Sequence, residues 1–185
     1  MAGGGVTGAH DLGGGILLRP LRVDDASALA AAYTRNRAHL APWEPERSER
    51  FFTSEGQHDE VRGALASRTS GTSEPLVLVG SRGIVGRLNI SSITRGVFQS
   101  ATLGYWVDAA LQGRGVMTRA VAAVVGIARV ELSLHRLEAG TLVHNTASQA
   151  VLRANGFVEY GRAERYLRIA GRWQDHVLFQ RILED

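Results

Sequence analysis

The chain contains no cysteine, no lysine and no long apolar run. Without thiols there is no disulfide, no thiolate metal site and no acyl-cysteine intermediate. Without lysine a Walker A phosphate loop, which needs that cation, is excluded. No segment approaches the length of a membrane span, and the N-terminus lacks the basic-then-apolar order of a signal peptide. Six histidines are scattered without His-x-x-x-His spacing, so no metal centre is indicated. These absences point to a cytoplasmic protein, and the sequon Asn89-Ile90-Ser91 carries no weight without a secretory signal. All the positive charge is arginine. The net charge of +3 could suggest nucleic acid, but the arginines are spread along the chain, which fits a solvated surface better.

What is present has room for one core and shows no repeat. Residues 1–15 are glycine-rich and aperiodic, which predicts a disordered leader, and residues 16–185 are read as one domain. A strand over 16–23 precedes a helix capped by Asp24, with Leu29, Ala30 and Tyr33 on one face. Ala41-Pro42-Trp43-Glu44-Pro45 breaks that pattern, and a second helix is predicted over 54–68. Strands follow at 76–79 and 84–93, the second alternating Ile84, Gly86, Leu88, Ile90 against Val85, Arg87, Asn89, Ser91. Thr94-Arg95-Gly96 signals a hairpin before a strand over 101–107. A helix to about Val130 then carries the stripe Val116, Ala120, Val124, Ile127 and Ala128. A strand over 136–143 leads to a helix over 146–155 with Ala147, Ala150, Val151 and Ala154 inward, ended by Asn155-Gly156. Two more strands, 157–169 and 174–183, complete an α/β order with a mixed sheet flanked by helices.

The stretch Gln112-Gly113-Arg114-Gly115-Val116-Met117-Thr118 lies between a strand and a helix. Two glycines there let consecutive N–H groups converge above the positive end of the helix dipole, a nest suited to a diphosphate. A plain tight turn is the simplest alternative. A Rossmann loop needs a third glycine where Thr118 stands, and a parallel unit that the antiparallel-looking strands do not supply.

Gln112, Gly115 and Met117 fall on the Gln/Arg-x-x-Gly-x-Gly/Ala pattern of the GCN5-related N-acetyltransferases, with Met117 the one departure. His144-Asn145-Thr146-Ala147-Ser148, followed by Gly156-Phe157, resembles that superfamily's Asn-x-x-Ala/Ser helix. Ala41 to Pro45, Thr94-Arg95-Gly96 and Arg172-Trp173-Gln174-Asp175-His176-Val177-Leu178 resemble its RimJ/RimL-like branch of ribosomal-protein N-acetyltransferases. The resemblance covers residues 17–183. It implies a mostly antiparallel mixed sheet in which a central parallel strand pair splays apart to admit acetyl-CoA, the cosubstrate. The pantetheine arm is expected along Tyr105-Trp106-Val107, and the pyrophosphate on the backbone of Gly113, Arg114, Gly115, Val116, Met117 and Thr118, after Gln112. Asn145 is expected to bond the arm from the other side, with Ser148 near the sulfur.

With no cysteine, direct attack of an amine on the thioester is the simplest chemistry. Glu44 is the candidate base, against the alternative of a surface glutamate in a proline-flanked turn; Glu138 and Asp175 are weaker candidates. The superfamily's usual acid, a tyrosine seven residues after the asparagine, is Leu152 here. The resemblance gives that role to Ser148, which could instead bond its own helix. Trp43 and Tyr105 are candidates to line the acceptor pocket, or to pack in the core. Arg114, Arg119 and Arg153 are candidates to reach phosphates, or to face solvent. The expected reaction is acetylation of a primary amine, foremost the α-amine of a ribosomal protein. Acetylation of an antibiotic or polyamine, or a non-catalytic CoA- or ribosome-binding module, stands as the alternative. No membrane contact is expected, nucleic acid is met only through the ribosome, and a homodimer is left open.

Overall fold

The computed structural model describes residues 6–183. In chain order these form β1 (His10–Asp11), β2 (Leu17–Pro20), α1 (Ala26–Arg35), the short α2 (Arg37–Leu40), α3 (Ser54–Thr69), β3 (Glu74–Gly80), β4 (Gly83–Thr94), β5 (Ser100–Val107), α4 (Val116–Val130), β6 (Arg136–Leu142), α5 (Thr146–Ala154), β7 (Val158–Ile169) and β8 (Arg172–Ile182). The strands make one sheet in the order β1-β2-β3-β4-β5-β6-β8-β7. Every neighbouring pair is antiparallel except β5 with β6. This is the mixed, mostly antiparallel sheet that the sequence predicts. No helix among the described residues is long and apolar enough to cross a membrane.

Alternation along β3 divides the apolar interior in two. Leu76 and Leu78 face a large cluster with α4, while Val77 faces a smaller one with α1 and α3. In α4 the predicted stripe of Val116, Ala120, Val124, Ile127 and Ala128 is buried throughout. Its spacing matches the helical repeat, so one face packs on the sheet. Leu29, Tyr33 and Val61 from α1 and α3 cover the opposite face together with Trp106.

Several local expectations are corrected. Residues 1–5 of the expected disordered leader lie outside the described residues. From residue 6 on the leader is ordered: Val6 and Leu12 are buried, and β1 pairs with β2. The glycines read as disorder make the hairpin turn, with Gly13, Gly14 and Gly15 all at positive φ. Asp24 is not the cap of α1; Asp25 accepts from Arg22 N at 2.8 Å and pairs with Arg19. The face of α5 read from Ala147, Ala150, Val151 and Ala154 holds only for Val151, which is half-buried against the large cluster. Gln149 and Leu152 are its buried residues, and Ala147, Ala150 and Ala154 are exposed. On β4, Ile84 does not share a cluster with Leu88 and Ile90, because a register shift opposite Leu78 and Val79 interrupts the alternation.

Candidate active site

β5 and β6 are hydrogen-bonded neighbours only at Ser100–Arg136, Ala101–Leu137 and Thr102–Glu138. Beyond Thr102, β5 stays with β4 as far as Val107, and β6 stays with β8 as far as Leu142. The two strands therefore separate, and the edges from Leu103 and from Ala139 onward have no strand partner across the gap. Unpaired main-chain groups in a protein interior need partners. An extended amide-bearing chain laid in the gap would supply them.

The near side of the gap opens into a cavity of about 620 Å³. It brings together Trp43, Tyr105, Trp106, Val107, Gln112, Gly113, Gly115, Val116, Met117, Thr118, Asn145 and Ser148, which the sequence placed in one site. Their contributions differ. Trp106 turns its ring into the smaller apolar cluster and donates Nε1–H to the Tyr33 hydroxyl at 3.0 Å. Val116 and Met117 are buried in the larger one. The side chains of these three belong to the core clusters as well as lining the cavity.

The glycine turn is built as a nest. A 3-10 turn over Ala109–Leu111, capped by Asp108, leads into Gly113 at φ 69° and Gly115 at φ 68°. Only glycine holds such left-handed angles without strain. Gly115 is the N-cap of α4 and has no side chain to bond the first-turn amides. Those N–H groups stay available to an anion at the positive end of the helix. Asp108 anchors the turn. Burial pushes its pKa up, but hydrogen bonds from Ala110 N, Arg35 and Asn36 outweigh this and hold it below the ordinary value. Of the three arginines expected near the phosphates, Arg119 stays at the turn, its Nη1 3.3 Å from the Arg114 carbonyl, and Arg153 is engaged elsewhere. Arg119 bonds the carbonyl of Leu12 at 2.7 Å, and Arg153 pairs with Glu159 and lies over the Phe179 ring. Arg114 is exposed on the turn itself but is not among the residues lining the cavity.

Tyr105 and Ser148 face each other from opposite sides of the gap, hydroxyl to hydroxyl at 2.9 Å. Burial drives the Tyr105 pKa up to about 12, with the Ser148 hydrogen bond a smaller opposing influence. Tyr105 lines the cavity and also packs against the larger core cluster. Asn145 caps α5, its side-chain oxygen accepting from Ser148 N at 3.1 Å. Its amide hydrogens remain for a ligand. Leu152, on the same stripe as Ser148, is fully buried and offers no hydroxyl.

A second cavity, about 390 Å³, shares Trp43, Tyr105, Trp106, Asn145 and Ser148 with the first. It adds Glu44, Arg47, Arg87 and His176. Residues of both sheet faces line it, Gly104 and His176 from one and Leu103 and Thr141 from the other. The opening between β5 and β6 is thus a slot through the sheet. Glu44 is not a solvated surface group. Burial raises its pKa, and Arg47 and Arg87 pull less strongly the other way. Trp43 stacks at 5.4 Å on His144, joining the segment after α2 to the loop after β6. The weaker base candidates are occupied: Glu138 pairs with Arg136 at 2.6 Å, and Asp175 accepts from Arg162 and from Arg165 N.

Sequence reasoning missed Arg87 and His176 as site residues. Arg87 reads as an ordinary outward position of an alternating strand. His176 is buried, with Nδ1 at 3.0 Å from the Gln174 carbonyl. Only the pairing of Leu142 with His176 places that ring beside the slot.

Comparison with known proteins accords with this geometry. Residues 16–158 match the acetyltransferase (GNAT) domain family. The chain is 33% identical over 165 residues to the [ribosomal protein uS5]-alanine N-acetyltransferase of Escherichia coli (strain K12), covering 88% of this chain and 85% of that protein. The crystal structure of the ribosomal-protein-S5-alanine acetyltransferase from Vibrio fischeri superposes with a TM-score of 0.92 at 35% identity, over 97% of this chain and 98% of that one. Mycobacterium smegmatis RimJ, solved in complex with CoA-disulfide, gives a TM-score of 0.82 at 34% identity, over 90% and 81% of the two chains. With its splayed strand pair, its uncapped amide turn and a match spanning most of its length, the chain belongs to the acetyltransferase (GNAT) family.

Proposed function

We propose that this N-acetyltransferase moves the acetyl group of acetyl-CoA onto the α-amine of a protein N-terminus, with a ribosomal protein beginning in alanine as the first candidate acceptor. The observation that carries the reading is the slot itself. It has an anion nest at one mouth, a hydroxyl pair in its throat and a buried carboxyl at the other mouth. The resemblance to relatives acting on ribosomal-protein alanine supports the acceptor class.

In this reading the amides of Gly113, Arg114, Gly115, Val116, Met117 and Thr118, after Gln112, hold the pyrophosphate. The open edge of β5 at Tyr105, Trp106 and Val107 and the amide hydrogens of Asn145 hold the pantetheine arm. The amine reaches the thioester from the cavity of Glu44, between Trp43 and Tyr105. An α-amine has a pKa of ~8 and a lysine side chain ~10.4, so deprotonation at pH 7 costs ~1.4 and ~4.6 kcal/mol respectively. One carboxylate of raised pKa is base enough for the first. A main-chain N–H on the open β5 edge bonds the tetrahedral oxyanion, a contribution of ~2.7–4 kcal/mol. As the C–S bond breaks, Ser148 donates its hydrogen bond to the departing sulfur while accepting one from Tyr105. The amine's proton leaves through Glu44.

The charge of the acceptor side also favours an α-amine. Glu44 faces both Arg47 and Arg87, so the cavity is not acidic and repels a polyamine's multiple positive charges. A thiol-release assay with acetyl-CoA and an amine panel tests the reading. The alanine-starting peptide is expected to have a kcat/KM at least 100-fold above those of a lysine peptide with a blocked N-terminus and of spermidine. Comparable rates for spermidine would overturn it.

A further inference from the structure

A third cleft lies beside the slot and is not used by the chemistry described so far. It measures about 550 Å³ and runs between α3 and the outer face of β4. Arg87 and Asn89 line both this cleft and the acceptor cavity, so the two adjoin. Ser91 extends the floor along β4, and Asp59, Glu60 and Ser67 of α3 form the wall. Resting on the α-amine reading of the same site, we infer that this cleft is the binding groove for the residues that follow the acetylated one, held as an extended polypeptide.

The floor presents donors. Arg87, half-buried, lines the cleft. Asn89 accepts from Ser73 Oγ at 3.0 Å through its side-chain oxygen, which leaves its amide hydrogens free. Arg87 and Asn89 are two apart on one strand face, a separation of about 6.6–6.8 Å. Carbonyl groups two residues apart on an extended chain point the same way at the same interval. A peptide lying along β4 can therefore turn alternate carbonyls toward the face that carries Arg87 and Asn89. The distance from Arg87 to Ser91 is about 13 Å, enough for roughly four residues in extended form. One strand spacing of ~4.8 Å separates β4 from Gly104, its neighbour on β5 at the slot. The groove thus begins with the second residue of the acceptor and is filled by about the fifth. A small amine cannot use it, and a polypeptide can.

A length series on the wild-type protein tests this directly. Alanine-starting peptide amides of two, four and six residues are compared at saturating acetyl-CoA by thiol release. KM is expected to fall about 10- to 30-fold from two residues to six, with kcat within threefold, and Asn89→Ala is expected to shrink that ratio at least threefold. Acetylation of all three peptides with one common KM overturns the groove and leaves the α-amine reading standing. No acetylation of any peptide, with acetyl-CoA still bound, overturns that reading and the groove with it.

Discussion

Glu44→Gln is expected to lower kcat/KM for an alanine-starting peptide about 100-fold at pH 7, a loss that shrinks as pH rises. Positioned bases contribute ~10²–10⁴-fold, and the lower end applies because an α-amine is only about one pKa unit from neutrality at pH 7. The side chain acts in its ionised form, so activity is present above its pKa and lost as pH falls through it. Burial first, with Arg47 and Arg87 opposing, raises that pKa, so the acid limb of the wild-type profile lies above the usual 4.5 of a glutamate. In the glutamine variant the only remaining route to a neutral amine is the amine's own ionisation, with pKa ~8. The neutral fraction of the amine rises about tenfold between pH 7 and 9.5, so the gap should narrow from about 100-fold to about 10-fold. A gap that stays constant across the range would mean that Glu44 shapes the pocket and takes no proton.

Ser148→Ala is expected to reduce kcat about 10- to 150-fold with KM for acetyl-CoA within twofold. A hydrogen bond to a charged group is worth ~1.5–3 kcal/mol, which converts to that range. The effect falls on kcat because the sulfur is charged only as the thiolate departs. Neither hydroxyl is a true acid for this step. A thiol ionises near 8.5, whereas burial holds Tyr105 at about 12. Full transfer from the tyrosine to the thiolate is thus uphill by several pKa units. What the pair supplies in the proposed step is orientation: with Tyr105 donating to Ser148, the serine turns its own hydrogen toward the sulfur. Tyr105→Phe should therefore have a smaller effect than Ser148→Ala, and the double variant little more than the serine variant alone. Fully additive losses would separate the two roles.

Much of this site could be seen in the sequence because main chain makes most of it. Glycine at 113 and 115 is what left-handed backbone requires, and a helix stripe beginning at Val116 fixes where the amides point. Period and punctuation survive in a sequence. The α5 face did not, because alanine packs equally well on either side of a helix and only Leu152 had the size to decide it. The leader was misjudged for a related reason: three glycines serve a tight hairpin as well as disorder, and Val6 and Leu12 alone tell which. Ile84 changed face through an irregularity in strand pairing that no alternation pattern contains. Arg153 is drawn to Glu159, whereas Arg119 bonds Leu12 through Nε and keeps Nη1 on the glycine turn, at the Arg114 carbonyl. Arg119 meets Leu12 only through tertiary folding. Arg87 and His176 became site residues only when the strand order brought β4 and β8 to the two sides of one opening.

The most direct measurement is a calorimetric titration with acetyl-CoA and, in parallel, with acetyl-pantetheine, which has the thioester arm but no nucleotide diphosphate. If uncapped amides at Gly115 and the first turn of α4 hold the pyrophosphate, acetyl-CoA binds at least 100-fold more tightly than the truncated thioester. Equal affinities, or no heat with either compound, would contradict the account at its base.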